Sequence, residues 1–195
     1  MKKIISQEEK EKKTKINQTI IGLLLISLMI FSTIGFAFSF NQEENNQEKI
    51  EYNNIEFIRD SSGYWTFEIN ENKFYTIYNP QEISDIQIST NKKIDDYNNK
   101  PLYFVGEVGE GFSELYKFLS NYAVRIGNAC LDKNCKDDYP IKNCDNDNVI
   151  IIEEVLDVNG KEEIVEYKNC VYIKTKNINE AKYADAYIFN LLEIR

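Results

Sequence analysis

Apolar and polar positions divide this chain into one long apolar run and a series of short periodic segments. From Thr19 to Phe40, 22 residues pass without a charge, built around IIGLLLISLMIFSTIGFAFSF. At helical rise such a run spans about 33 Å, enough to cross a hydrocarbon core about 30 Å thick. It predicts a transmembrane helix at residues 19–40, in which Ser, Thr and Gly are tolerated. Lys10, Lys12, Lys13 and Lys15 precede it, and Glu43, Glu44, Glu48 and Glu51 come after it. The positive-inside rule then makes residues 1–18 a cytoplasmic tail and sends the C-terminal part across the cell membrane. A cleaved signal peptide, with Ala37 and Ser39 before the cut, is the competing reading. Its apolar run is usually shorter, and the leader here is long and holds three Glu. Both readings export the C-terminal part of the chain.

Residues 41–54 are rich in Asn, Gln and Glu without apolar periodicity and are expected to form a polar stalk. A folded domain is expected over 55–195. It begins with short alternating segments, Ile55–Ile58, Tyr64–Ile69 and Phe74–Tyr78, separated by turn-like residues around Gly63 and Asn70. Trp65, Phe67 and Ile69 share one strand face opposite Thr66 and Glu68, the mark of an antiparallel meander. Residues 81–100 settle on no period. Leu102–Gly106 reads as a buried strand, and a Gly-containing bend, 106–111, leads into a helix with Phe112, Leu115, Leu119 and Tyr122 at helical spacing. Strands are expected at Ala123–Gly127, Val149–Val155, Ile164–Tyr167 and Cys170–Lys174, with Asn159-Gly160 as a hairpin turn between the second and third. A closing helix over Asn179–Glu193 would bury Ala181, Ala184, Ile188, Leu191 and Leu192. The expected fold class is α+β: an N-terminal transmembrane helix, then a single domain of mainly antiparallel sheet with two packed helices.

Charge sharpens this picture. The first forty residues carry six Lys against three Glu, so a chain at −9 leaves −12 for the remainder. Such acidity repels phosphate backbones, and no basic patch alternates with aromatics, so nucleic acid is not an expected partner. The chain has no His, which excludes His-based triads and His-ligated metals.

Cys130, Cys135, Cys144 and Cys170 all fall in the exported part. An even number on an oxidising side predicts two disulfides. Cys144 and Cys170 each precede a strand, which favours pairing them and leaves Cys130–Cys135 to close a small loop. A four-Cys zinc site wants closer pairs, and a thioredoxin-like centre wants C-x-x-C. No cofactor is expected.

Other groupings favour plain structure. Asp132, Asp137, Asp138, Asp145 and Asp147 lack the Gly and final Glu of a calcium loop. The bend Gly106–Gly111 lacks Walker spacing and its Lys. Glu153 with Glu154, and Glu162 with Glu163, point to opposite faces of a strand and supply no paired acid and base; they read as an edge strand kept soluble by charge. Tyr64, Tyr75 and Tyr78 are candidates for an exposed platform, with Trp65 expected in the core. The expected function is a membrane-anchored, non-enzymatic binding or accessory domain of the cell envelope, whose partner is an envelope protein or a surface polymer. Two alternatives are a pilin-like or secretion-apparatus subunit, whose apolar helix would normally carry an early acid that Thr19–Phe40 lacks, and a carboxylate-dependent exported hydrolase.

Overall fold

The computed structural model describes residues 7–43, 47–135 and 138–195. The chain divides into two compact units at Gln47/Glu48. The first holds α1, Gln7–Glu43. Its stretch Lys15–Ile34, with mean hydropathy 1.8, is long and apolar enough to cross a membrane. The helix continues N-terminally through most of the segment expected as a tail.

In the second unit the first four strands form an antiparallel meander: β1 (Lys49–Tyr52), β2 (Ile55–Arg59), β3 (Trp65–Ile69) and β4 (Asn72–Thr76), in that spatial order. Two of its turns have two residues with positive φ, Asn53-Asn54 (50° and 62°) and Asn70-Glu71 (50° and 67°). That conformation matches the twist of a tight hairpin and sets its register. β1 lies within the stretch expected as a stalk; its Ile50 pairs with Phe57, and Phe57 is fully buried.

The second sheet corrects the expectation of a single, mainly antiparallel sheet. It has six strands in the order β5 (Ile88–Ser89), β9 (Glu163–Tyr167), β10 (Cys170–Thr175), β8 (Asn148–Glu154), β6 (Pro101–Val105), β7 (Arg125–Asn128). Every neighbouring pair is parallel except β9–β10. The Asn159-Gly160 hairpin does not form: β8 pairs with β6 and β10, and the tight turn lies instead between β9 and β10, where Lys168 has φ 56°. β8 is therefore an interior strand, not an edge. Its run Val149-Ile150-Ile151 is almost wholly buried, as expected of a strand covered on both faces.

Two helices, α2 (Glu110–Leu119) and α3 (Glu180–Leu191), lie between the sheets. Phe112 and Tyr116 of α2 pack on Phe104 of β6, while Phe118 meets Phe74 of β4 and Phe189 of α3 meets Phe57 and Phe67. α3 is buried on almost every side, which suits its apolar run Ala186–Phe189 and leaves the buried Asp185 in need of partners. The far face of the six-stranded sheet carries a smaller cluster of Tyr103, Ala129, Val149, Ile151 and Cys170.

Candidate functional site

β4 is the last strand of the meander, and α2 runs beside it. At 3–4 spacing, α2 turns Glu110, Ser113, Glu114, Lys117 and Phe118 away from its buried Phe112, Leu115 and Leu119, and Asn121 follows in the turn beyond it. Between that outer face and Lys73–Tyr75 lies a groove of about 550 Å³, a volume typical of ligand sites. Phe74, Phe118 and Ile188 line it with apolar surface, and Tyr64 also contributes. Tyr64 and Tyr75 keep 42% and 56% of their surface in water, so both rings are free to meet a ligand. Lys73 sits with its Nζ 5.5 Å from the Tyr75 ring centre. The lining holds two Lys and two Glu, a balance unlike the acidic remainder of the chain.

Beneath the groove two carboxyls meet. Asp185 of α3 is fully buried, and its Oδ2 accepts the main-chain N–H groups of Ile77 (2.9 Å) and Tyr78 (2.8 Å), tying the exit of β4 to the helix. The Glu114 carboxyl of α2 is its acidic neighbour. Asp185 Oδ1 and Glu114 Oε2 are buried and meet no protein donor, which two carboxyls resolve by holding a proton between them. Burial, reinforced by Glu110, lifts Glu114 to about 7. Burial and the charge of Glu114 lift Asp185 well above the usual carboxyl range. Only Glu114 of this pair reaches the groove.

Known proteins offer no guide here. The chain matches no protein-family model, no curated protein and no solved structure.

The remaining sequence candidates fall elsewhere. The structure pairs Cys144 with Cys170 and Cys130 with Cys135, at Cα separations of 5.0 and 5.8 Å. Trp65 is fully buried, with the Arg59 guanidinium 5.6 Å from its ring centre. Tyr78 is partly buried. Among the acids near the cysteines, Asp147 accepts from Lys142 and Asn143, Asp145 from Lys168, and Asp132 from the Asn134 N–H; Asp137 lies outside the described residues. No metal-binding group of three ligands occurs among the described residues. Glu162 accepts from Thr175, the Lys176 N–H and Asn179, while Glu163 pairs with Lys161 and Lys174.

The glycine bend has a specific occupant. Glu180 at the start of α3 inserts its carboxylate here, and Oε1 accepts the Phe112 N–H at 2.8 Å, satisfying an orphan donor of α2. A Cβ on Gly109 would lie 1.9 Å from Glu180 Oε2, and one on Gly111 would lie 2.4 Å from the Glu180 carbonyl oxygen. Beside it, at the C-terminal ends of β6, β8 and β10, a recess of about 380 Å³ is lined by Glu107, Glu153, Glu154 and Glu180 without a basic residue. Open parallel sheets commonly bind ligands at that edge, but four carboxylates disfavour the usual phosphate-bearing ones.

Sequence reading missed Glu114 and Asp185. A signal for Asp185 existed: it shares a helix face with Ala181 and Ile188, and a lone acid among apolar positions marks a buried carboxyl that needs partners.

Proposed function

We propose that this chain is a binding or accessory module of the cell envelope, held by α1 in the cell membrane with its N-terminus in the cytoplasm. The unit Glu48–Arg195 works on the exported side, where two disulfides are stable. Its ligand site is the groove between β4 and α2. The observation that carries this reading is the groove's make-up: exposed Tyr64 and Tyr75, an apolar lining, and balanced Lys and Glu. Large apolar rings left in water beside polar groups are typical of surfaces that gain a partner.

The reading is non-enzymatic because of where the acids sit. Asp185 is sealed from the groove, while Glu110 and Glu114 share one helical wall. Glycoside cleavage asks for carboxyls that flank the bond from two sides, and Lys73 and Tyr75 occupy the opposite wall.

The test is a photo-cross-linking side chain placed at Ser113 in the groove, or at Lys168 in the β9–β10 turn as a control, in full-length chain within its native envelope. Adducts of defined mass at Ser113 and none at Lys168 are expected. Absence of adducts at Ser113, or equal adducts at both positions, would refute the groove as the binding site.

A further inference from the structure

The groove has a wall that side chains alone do not describe. β4 pairs only with β3, in the register Ile69↔Asn72, Glu68↔Lys73, Phe67↔Phe74, Thr66↔Tyr75. A two-residue turn makes Ile69↔Asn72 a hydrogen-bonded pair, and such pairs alternate along an antiparallel ladder. Phe74 is therefore bonded to β3, while the N–H and C=O groups of Lys73 and Tyr75 point outward. No other main-chain or side-chain hydrogen bond reaches those groups among the described residues. Lys73 and Tyr75 are also groove-lining residues. The free donors and acceptors of β4 thus border the groove instead of being capped by the fold.

Exposed edges are normally blunted by Pro, a bulge or a covering loop. β4 has none of these in Asn72–Thr76. Its single deterrent is Lys73, whose ammonium leans over the Tyr75 ring. The opposite wall runs along α2 from Glu110 to Phe118, about 12 Å at helical rise, and on to Asn121 just past its end. An extended strand covers that distance in about four residues.

We infer that the groove takes an extended polypeptide segment of a partner protein, which adds to β4 as a fifth strand and lies against α2. This rests on the groove being the binding site and names the chemistry of its occupant. Main-chain bonds to Lys73 and Tyr75 supply sequence-independent affinity. Side chains at alternate positions of the segment turn toward Phe74, Phe118 and Ile188, so apolar or aromatic residues are preferred there. Lys73 and Lys117 against Glu110 and Glu114 favour a segment without a strong net charge. A polysaccharide would use the tyrosine rings but would have no strand ladder to complete.

The test uses the full chain in detergent micelles and random linear peptides displayed on phage as the probe. Selected peptides, made synthetically, are expected to slow amide exchange at Lys73 and Tyr75 by about tenfold or more, the free energy of ordinary hydrogen-bonded protection. Methylating alternate peptide nitrogens is expected to abolish that effect. Ser113→Phe, which fills the groove, is expected to abolish selection while fluorescence of the single Trp65 reports an intact core. Failure to select peptides, or binding that leaves both amides unprotected, overturns strand addition. So does protection that rises with protein concentration in the absence of peptide, since the occupant is then a second copy. If wall glycan fragments bind in a Tyr75-dependent manner without protecting the amides, strand addition fails and the groove survives as a site; if neither probe binds and Ser113 yields no adduct, both fall.

Discussion

Removing the Asp185 carboxyl should be costly in one variant and almost free in another. In Asp185→Ala the N–H groups of Ile77 and Tyr78 lose the fully buried carboxylate that accepts them. Each orphaned buried donor costs about 1–3 kcal/mol, so the pair costs about 2–6 kcal/mol. Asp185→Asn keeps an oxygen for both donors and offers its NH₂ to Glu114, and it should cost less than about 1 kcal/mol. The unmodified chain also carries a pH signature of this pair. The folded chain holds the Glu114 proton up to about 7, against an ordinary value of 4.5. Between those pH values the folded state binds more protons than the unfolded state, so stability falls as pH rises. Allowing for solvent screening at a partly exposed side chain, Glu114 contributes a fall of about 2 kcal/mol across that window. Asp185, displaced in the same direction, adds to it. Urea denaturation of the full chain in micelles, monitored by the fluorescence of the single Trp65, measures both effects at pH 5 and pH 8. A stability that rises with pH would refute the shared proton. Equal losses in Asp185→Ala and Asp185→Asn would refute the acceptor role.

Three further outcomes are expected from the same assay. Replacing both Cys144 and Cys170 by Ser should cost about 3.5 kcal/mol, and replacing Cys130 and Cys135 about 2 kcal/mol, because the first bridge closes a separation of 26 residues and the second only 5; reversed sizes would contradict the chain-entropy reading. Gly111→Ala should lose about 1–3 kcal/mol against the Glu180 carbonyl, whereas Gly127→Ala, with nothing within 4 Å of its new methyl, should stay within about 0.5 kcal/mol of the parent. Tyr187→Phe strands the hydroxyl of Tyr97, its buried hydrogen-bond partner, and should cost about 1–2 kcal/mol. Adding Tyr97→Phe should cost no more, and simple additivity of the two would disprove the coupling.

The local parts of the fold were legible in the residues because local physics decides them. Alternation around Trp65, Phe67 and Ile69 places the meander, and helical spacing around Phe112, Leu115 and Leu119 places α2. The parallel sheet was harder, because a strand's pattern records which faces are buried and not which neighbour it meets. The unbroken run Val149–Ile152 did carry the mark of a doubly covered strand, but Asn159-Gly160 suggested a hairpin instead. Leu156 and Val158 in that connection stay 83% and 82% exposed, so these two side chains find no apolar partner, and the loop is held by polar contacts such as Lys176 Nζ to the Val158 carbonyl. The groove was legible only in fragments. Tyr64 and Tyr75 stood out as candidate surface aromatics, but the outer face of α2 reads as an ordinary solvated face until β4 is laid beside it. Glu114 and Asp185 are 71 positions apart in the sequence, and only the packing of α2 on α3 brings them together.

The groove can meet an envelope partner only if the unit Glu48–Arg195 lies on the oxidising side of the membrane. The most direct test is to isolate the full chain from its native membrane without reductant, block free thiols with a maleimide, and weigh it intact. An unchanged mass is predicted, with all four cysteines held in the two disulfides. Four added labels would mean reduced cysteines and a unit facing the cytoplasm, and would contradict the exported placement on which the proposed binding depends.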